Sequence, residues 1–181
     1  EHGDDSSVFL VTDSRALAEA TIAAIPAYWG KMGEQRVGFS SAVLGGQSGG
    51  VVLAPDMEAA IEFVNDYAPE HLLIHGQNAF DHLSGIRNAG EVLLGEHTPL
   101  SVANYLLGPN AVLPTGAAAT TRSALSVFDY VKLIGLGHMT AKGYAKLAPY
   151  AYKFARYEGF DAHANAVSDL RDKAFTSKPG A

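Results

Sequence analysis

Short runs of aliphatic and β-branched residues recur through the first half of the chain, each followed by a stretch with helical spacing, and this alternation points to an α/β architecture. Ser7 to Thr12 (SVFLVT) is the first run, and Asp13-Ser14 supplies an N-cap for a helical stretch to Ile25. Gly45 to Gly50 is a flexible turn leading into a buried-type strand, Val51 to Ala54. Pro55-Asp56 then starts a helix with Ala59, Ala60, Phe63, Val64 and Tyr67 on its apolar face. His71 to Ile74 reads as a strand and Ala79 to Ile86 as a helix; after the Asn88-Ala89-Gly90 turn, Glu91 to Leu94 reads as a further strand. Strands separated by helices pair in parallel.

The second half changes character. Pro114 to Thr121 (PTGAAATT) is small and turn-rich, a linker or a tightly packed loop. Its Gly and Thr residues invite a phosphate-cradle reading, but no P-loop lysine follows and no G-x-G-x-x-G occurs. Leu125 to Leu133 and Thr140 to Tyr157 read as helices, the second with Tyr144, Leu147, Ala148, Ala151, Phe154 and Ala155 on one face. Such a face is core or interface rather than a cofactor box. Ala162 to Ala174 reads as a last helix and Thr176 to Ala181 as a frayed tail. The expected fold class is α/β: a partial parallel-sheet layered domain over residues 1–115, followed by a helical C-terminal extension over residues 116–181.

With 48% hydrophobic and 18% charged residues among 181, the chain can build a buried core, and disorder is not its default. A formal net charge of -6 with no block of Lys or Arg argues against nucleic acid or an anionic membrane surface as partner. No run approaches the length of a membrane span, and no signal-peptide pattern opens the chain. The absence of cysteine fits a cytoplasmic protein and leaves any transition metal to His, carboxylate or amide ligands. The opening Glu1-His2, without methionine, reads as a fragment or processed piece.

Against this apolar, Gly/Ala-rich background stand three polar spots: Pro69-Glu70-His71, Thr98 to Asn110, and Glu158-Gly159-Phe160-Asp161-Ala162-His163. A Glu beside a His supplies a group that takes a proton from water and a second that titrates near neutral pH. Glu96-His97 repeats the pair, as chance allows among seven histidines, so adjacency alone does not establish chemistry. Pro69-Glu70-His71 lies at the entrance to a strand and Gly95 to Pro99 follows one; loops beyond strand ends carry function in parallel sheets.

These residues resemble the histidinol dehydrogenase family. The match runs through Asn65-Asp66-Tyr67-Ala68-Pro69-Glu70-His71, Gly95 with Thr98-Pro99, Gly108-Pro109-Asn110, and Val112-Leu113-Pro114-Thr115-Gly116. It continues through Ser126-Val127 and Glu158-Gly159 to Ala162-His163, in order along essentially the whole chain. The family's chain is more than twice as long, so the resemblance implies its C-terminal part. Residues 1–115 would then be the C-terminal half of an α/β catalytic domain and 116–181 a helical dimerisation segment, with most of the NAD site outside. Members oxidise a primary alcohol to a carboxylate in two NAD-dependent steps, through an aldehyde held in the site. Carried over, Glu70 is the general base that activates water, and His71 moves protons on and off substrate oxygen. The competing structural reading has Glu70 capping the strand entrance and His71 packing.

The resemblance further implies zinc, held in the family by a glutamine, two histidines and an aspartate, the last histidine coming from the partner subunit. The corresponding positions are His2, Asn104 and His163, with the glutamine preceding Glu1. Asn104 stands where the family has aspartate; its carbonyl oxygen can ligate zinc but carries no charge. Ala111 stands where members hold substrate with a histidine, whereas Glu158 retains a substrate-contacting carboxylate. Substrate contacts are thus expected from His2, His71, Asn104, Glu158 and His163. Losing a carboxylate beside the metal eases accommodation of an anionic substrate group, and Ala111 removes a donor for an imidazole-bearing amine. Both departures resemble the branch that oxidises 2,3-dihydroxypropane-1-sulfonate rather than L-histidinol. A true L-histidinol dehydrogenase is the alternative, and a metal-binding dimer relic without turnover is another; joint retention of Glu70, His71, Glu158 and His163 favours an enzyme. The full-length protein is expected to be a cytoplasmic homodimer with shared active sites, using zinc and NAD on a small-molecule alcohol.

Overall fold

The computed structural model describes residues 1–76 and 78–176, with side chains described to Lys173. Residues 177–181 of the expected tail lie outside the described residues. Two compact units divide the chain, residues 1–131 and 132–181.

In the first unit, β1 (Val8–Thr12) is extended as its β-branched residues favour, and ends where the Ser14 hydroxyl accepts the Leu17 N–H at 3.2 Å. That cap starts α1 (Arg15–Trp29), which runs through Pro26 instead of stopping at Ile25. The proline removes one backbone donor, and the helix closes within a turn at Gly30. A second helix, α2 (Glu34–Gly45), has no counterpart in the sequence reading: Gly38, Ser40 and Ser41 weaken its pattern. It packs on β2 (Gly49–Leu53) through buried Val43, and a Cβ at Gly49 would lie 2.9 Å from the Val43 side chain. The Asp56 carboxylate accepts the Ala59 N–H at 2.8 Å and opens α3 (Met57–Tyr67). Phe63 and Tyr67 meet Phe9 of β1 edge-on, with ring centroids 6.0 and 5.3 Å away.

β3 (His71–Ile74) and β4 (Glu91–Leu94) have the limits read from the sequence. The helix expected between them is a 3-10 helix, Ala79–Gly85. All pairing is parallel, as expected: β1 with β2 from Val8↔Gly49, and β3 with β4 from His71↔Glu91. Among the described residues the pairs are two separate two-stranded sheets. After β4 comes α4, the single turn Leu100–Val102, continued by a π-helical turn over Ala103–Leu107. The helix expected over Leu125 to Leu133 does not form; Val127–Tyr130 is one 3-10 turn. Ser126 and Asp129 close a capping box on it, and residues 131–140, with Gly135 and Gly137, carry no regular structure.

The second unit begins with that irregular stretch. Thr140 accepts the Gly143 N–H at 3.1 Å and starts α5 (Ala141–Glu158), which ends at left-handed Gly159. The single helix expected over Ala162 to Ala174 is two, α6 (Asp161–Asn165) and α7 (Asp169–Thr176). Ser168 separates them, its hydroxyl accepting the Leu170 N–H at 3.3 Å as the chain restarts. On the apolar face of α5, Ala155 is buried while Leu147 and Phe154 are exposed. No helix among the described residues is long and apolar enough to cross a membrane.

One buried side chain braces the route from α3 to β4. Asn65 is 1% exposed, accepts the Arg87 and Asn88 N–H groups at 2.6 and 3.2 Å, and donates to the Gly85 carbonyl at 2.9 Å. Asn65→Ala strands these backbone groups and should cost about 2–4 kcal/mol in a urea-unfolding measurement. A loss below about 0.5 kcal/mol, the range of neutral surface changes, would remove Asn65 as the brace.

Candidate active site

The pairing of β3 with β4 sets His71 directly across from Glu91, and neighbours across a ladder share a face. The His71 Nδ1 lies 2.9 Å from Glu91 Oε2. With Glu91 as a carboxylate and the ring neutral, Nδ1 donates and the ring's lone pair is left on Nε2. Glu70 Oε1 lies 3.6 Å from that Nε2, beyond hydrogen-bond length. Two acceptors at this distance are joined only by a group that donates to both, such as a water. Exposure separates the two carboxylates: the Glu91 side chain is 6% exposed, His71 22% and Glu70 41%.

The backbone around this trio is tightly specified. Ala68 closes α3 in the left-handed region (φ 51°), uncommon for a residue with a Cβ, and turns the chain into Pro69-Glu70. The Gly90 N–H donates to the Pro69 carbonyl and the Glu91 N–H to the Glu70 carbonyl, both at 2.9 Å. A Cβ on Gly90 would lie 2.6 Å from the Glu70 carbonyl oxygen and 2.9 Å from Pro114 Cδ. Two segments singled out in the sequence, around Glu70-His71 and Pro114, therefore converge on Gly90-Glu91. Glu91 itself escaped the sequence reading, where it served only as the start of an apolar strand. A carboxylate opening the run Glu91-Val92-Leu93-Leu94 was the available signal.

Asn104 sits in the π-helical turn, a distortion common at functional sites. Its Oδ1 is buried and has no hydrogen-bond partner among the described residues. A buried amide oxygen left unpaired fits a ligand position for a cation. His2 is exposed; the Arg36 guanidinium donates to the neighbouring Glu1 carbonyl at 3.0 Å. No hydrogen bond or ion pair among the described residues joins His2 or Asn104 to Glu70, His71 or Glu91. Nor does any group of three or more His, Asp or Glu stand ready for a metal among the described residues. Ala111 is exposed, beside Asn110, which donates to the Leu125 carbonyl and accepts the Val112 N–H.

Within the second unit, Glu158 and His163 share an open cleft of about 630 Å³ between α5 and α6, lined also by Ala151, Phe154, Ala166 and Val167. The His163 ring is tilted against Phe160 with centroids 5.3 Å apart. The sharp turn at Gly159 brings these residues together, the Phe160 N–H donating to the Ala155 carbonyl at 2.8 Å.

Comparison with known proteins gives one consistent result. The family model for histidinol dehydrogenase matches residues 1–171. A histidinol dehydrogenase homolog of Colwellia psychrerythraea is 61% identical over 98% of this chain and 40% of its own length. The histidinol dehydrogenase of Synechocystis is 43% identical over 93% of this chain and 39% of its own. The crystal structure of histidinol dehydrogenase from Elizabethkingia anophelis superimposes with a TM-score of 0.85 at 31% identity, covering 97% of this chain and 40% of that one. The chain thus spans about two fifths of the length of these relatives.

The close approach at Gly90 makes a local prediction. Gly90→Ala forces the Glu70 carbonyl or Pro114 to move and should destabilise by about 1–3 kcal/mol, as overpacking does. Unfolding measurements and a structure of the variant check this; unchanged stability with Glu70 in place would show that the contact yields without cost.

Proposed function

The chain belongs to the histidinol dehydrogenase family, and from that premise we propose that the full-length protein is an NAD-dependent dehydrogenase oxidising a primary alcohol to a carboxylate through an aldehyde. The observation that carries this reading is His71 with Nδ1 held and Nε2 open toward Glu70. A substrate hydroxyl donates to Nε2; as hydride leaves the carbon, its proton passes to the ring. NAD supplies the hydride acceptor for both steps. In the second step a water placed between Nε2 and Glu70 gives a proton to the carboxylate as its oxygen attacks the aldehyde carbon. The adduct so formed carries its negative charge on the former aldehyde oxygen, and loss of hydride from it leaves the acid. No residue of this chain is assigned to NAD.

Zinc is part of the proposal. The unpaired Asn104 oxygen fits a ligand, and His2 and His163 would be the nitrogen donors. When bound, zinc would polarise the alcohol oxygen. His163 and Glu158 are proposed to serve the site of the partner subunit in a homodimer, the exposed apolar residues of α5 meeting the other copy. With Asn104 neutral and Ala111 offering no donor, the substrate proposed is an anionic diol such as 2,3-dihydroxypropane-1-sulfonate. L-histidinol is the second reading, favoured by the name of the Synechocystis relative.

Glu70→Gln in the full-length protein tests the chemistry. Oxidation of supplied aldehyde should fall about 100- to 10,000-fold, the usual contribution of a general base, while alcohol oxidation falls far less. Equal small losses in both steps would overturn the assignment. For the metal, Asn104→Asp adds a charged donor and should slow zinc loss to a chelator, followed as metal content of the dialysed protein. Unchanged retention would remove Asn104 from the ligand set.

A further inference from the structure

We infer that Glu91 is a positioning residue that holds both members of the Glu70-His71 pair, an inference that rests on His71 being the proton-moving group. Its backbone N–H donates to the Glu70 carbonyl at 2.9 Å, and its carboxylate accepts from His71 Nδ1 at 2.9 Å. One residue thereby sets the place of the water-facing carboxylate and the tautomer of the imidazole.

A packing role does not account for this side chain. Its strand neighbours are Val92, Leu93 and Leu94, and an apolar residue would fill the position without the cost of removing a carboxylate from water. Buried to 6% exposure, the carboxylate is held where its partner is a ring nitrogen rather than solvent. Without it, either ring nitrogen can carry the hydrogen, and the tautomer with hydrogen on Nε2 cannot take a proton from a hydroxyl. The charge formed when Nε2 does take that proton faces a carboxylate at each nitrogen, 2.9 Å away at Nδ1 and 3.6 Å at Nε2. Glu91 accepts no proton in this scheme; it orients the ring and balances the charge, as carboxylates paired with catalytic histidines do.

The test uses the full-length protein with histidine-selective nitrogen-15 labelling and three variants: Glu91→Gln, His71→Asn and the double variant. In the unsubstituted protein His71 should show the Nδ1–H tautomer. Glutamine can present its amide N–H to Nδ1, so Glu91→Gln should populate the Nε2–H tautomer. It should also lower kcat for alcohol oxidation about 10- to 1,000-fold, a portion of a general base's contribution, with KM within about threefold. In the His71→Asn background Glu91→Gln should cause no further loss. An Nε2–H tautomer in the unsubstituted protein, or a double variant whose loss is the product of the two single losses, overturns the inference. If His71→Asn is inactive while Glu91→Gln keeps full kcat, the role of Glu91 alone falls. If His71→Asn stays fully active, the proposed chemistry falls and the inference with it.

Discussion

The ladder between β3 and β4 is four residues long, and so short a parallel pair holds its register only through what is fixed at its ends. A slip of one residue would carry His71 away from Glu91 and turn the other strand face toward it. At the entrance, Gly90 donates to Pro69 and tolerates no Cβ against the Glu70 carbonyl; at the exit, the Gly95 N–H donates to the Ile74 carbonyl at 2.9 Å. Asn65 fixes the approach from the other side by tying α3 to Gly85, Arg87 and Asn88. The contact of His71 with Glu91 thus depends on a register that glycine and asparagine, rather than the strand residues, determine.

What the sequence made legible follows the range of the forces involved. The caps at Ser14, Asp56 and Thr140 act over three residues, and all three helix starts stand where they were expected. β3 and β4 announce themselves as apolar runs bounded by turn residues, and their limits hold. Leu125 to Leu133 failed because the capping box of Ser126 and Asp129 closes a tight turn and the glycines beyond offer no helix to continue. α2 went unread because its one buried anchor, Val43, is meaningful only against β2. Glu70 and His71 were singled out by resemblance and adjacency, whereas Glu91, twenty positions on, comes beside His71 only through strand register. Non-local pairing is what a single sequence states least directly.

Among the described residues the buried apolar side chains are mostly small, nine alanines against Val43 and Leu93. Large apolar residues stand outside, Leu133 and Leu136 at 94% and 96% exposure. Surface of that kind is covered in obligate assemblies.

Two carboxylates flanking one imidazole have different work because water reaches them differently. Glu91 is almost wholly buried and spends its oxygen on a fixed ring nitrogen, so it cannot exchange partners during a reaction without exposing an unpaired charge. Glu70, 41% exposed and too far from Nε2 for a hydrogen bond, keeps its oxygens free to meet a water or a substrate hydroxyl. If the burials were exchanged, solvent would compete for the His71 ring nitrogen and the outer carboxylate would be shut off from water. The order of burial, with Glu91 inside, His71 between and Glu70 outside, is therefore the one the proposed chemistry requires: orientation from within and an accessible carboxylate facing out.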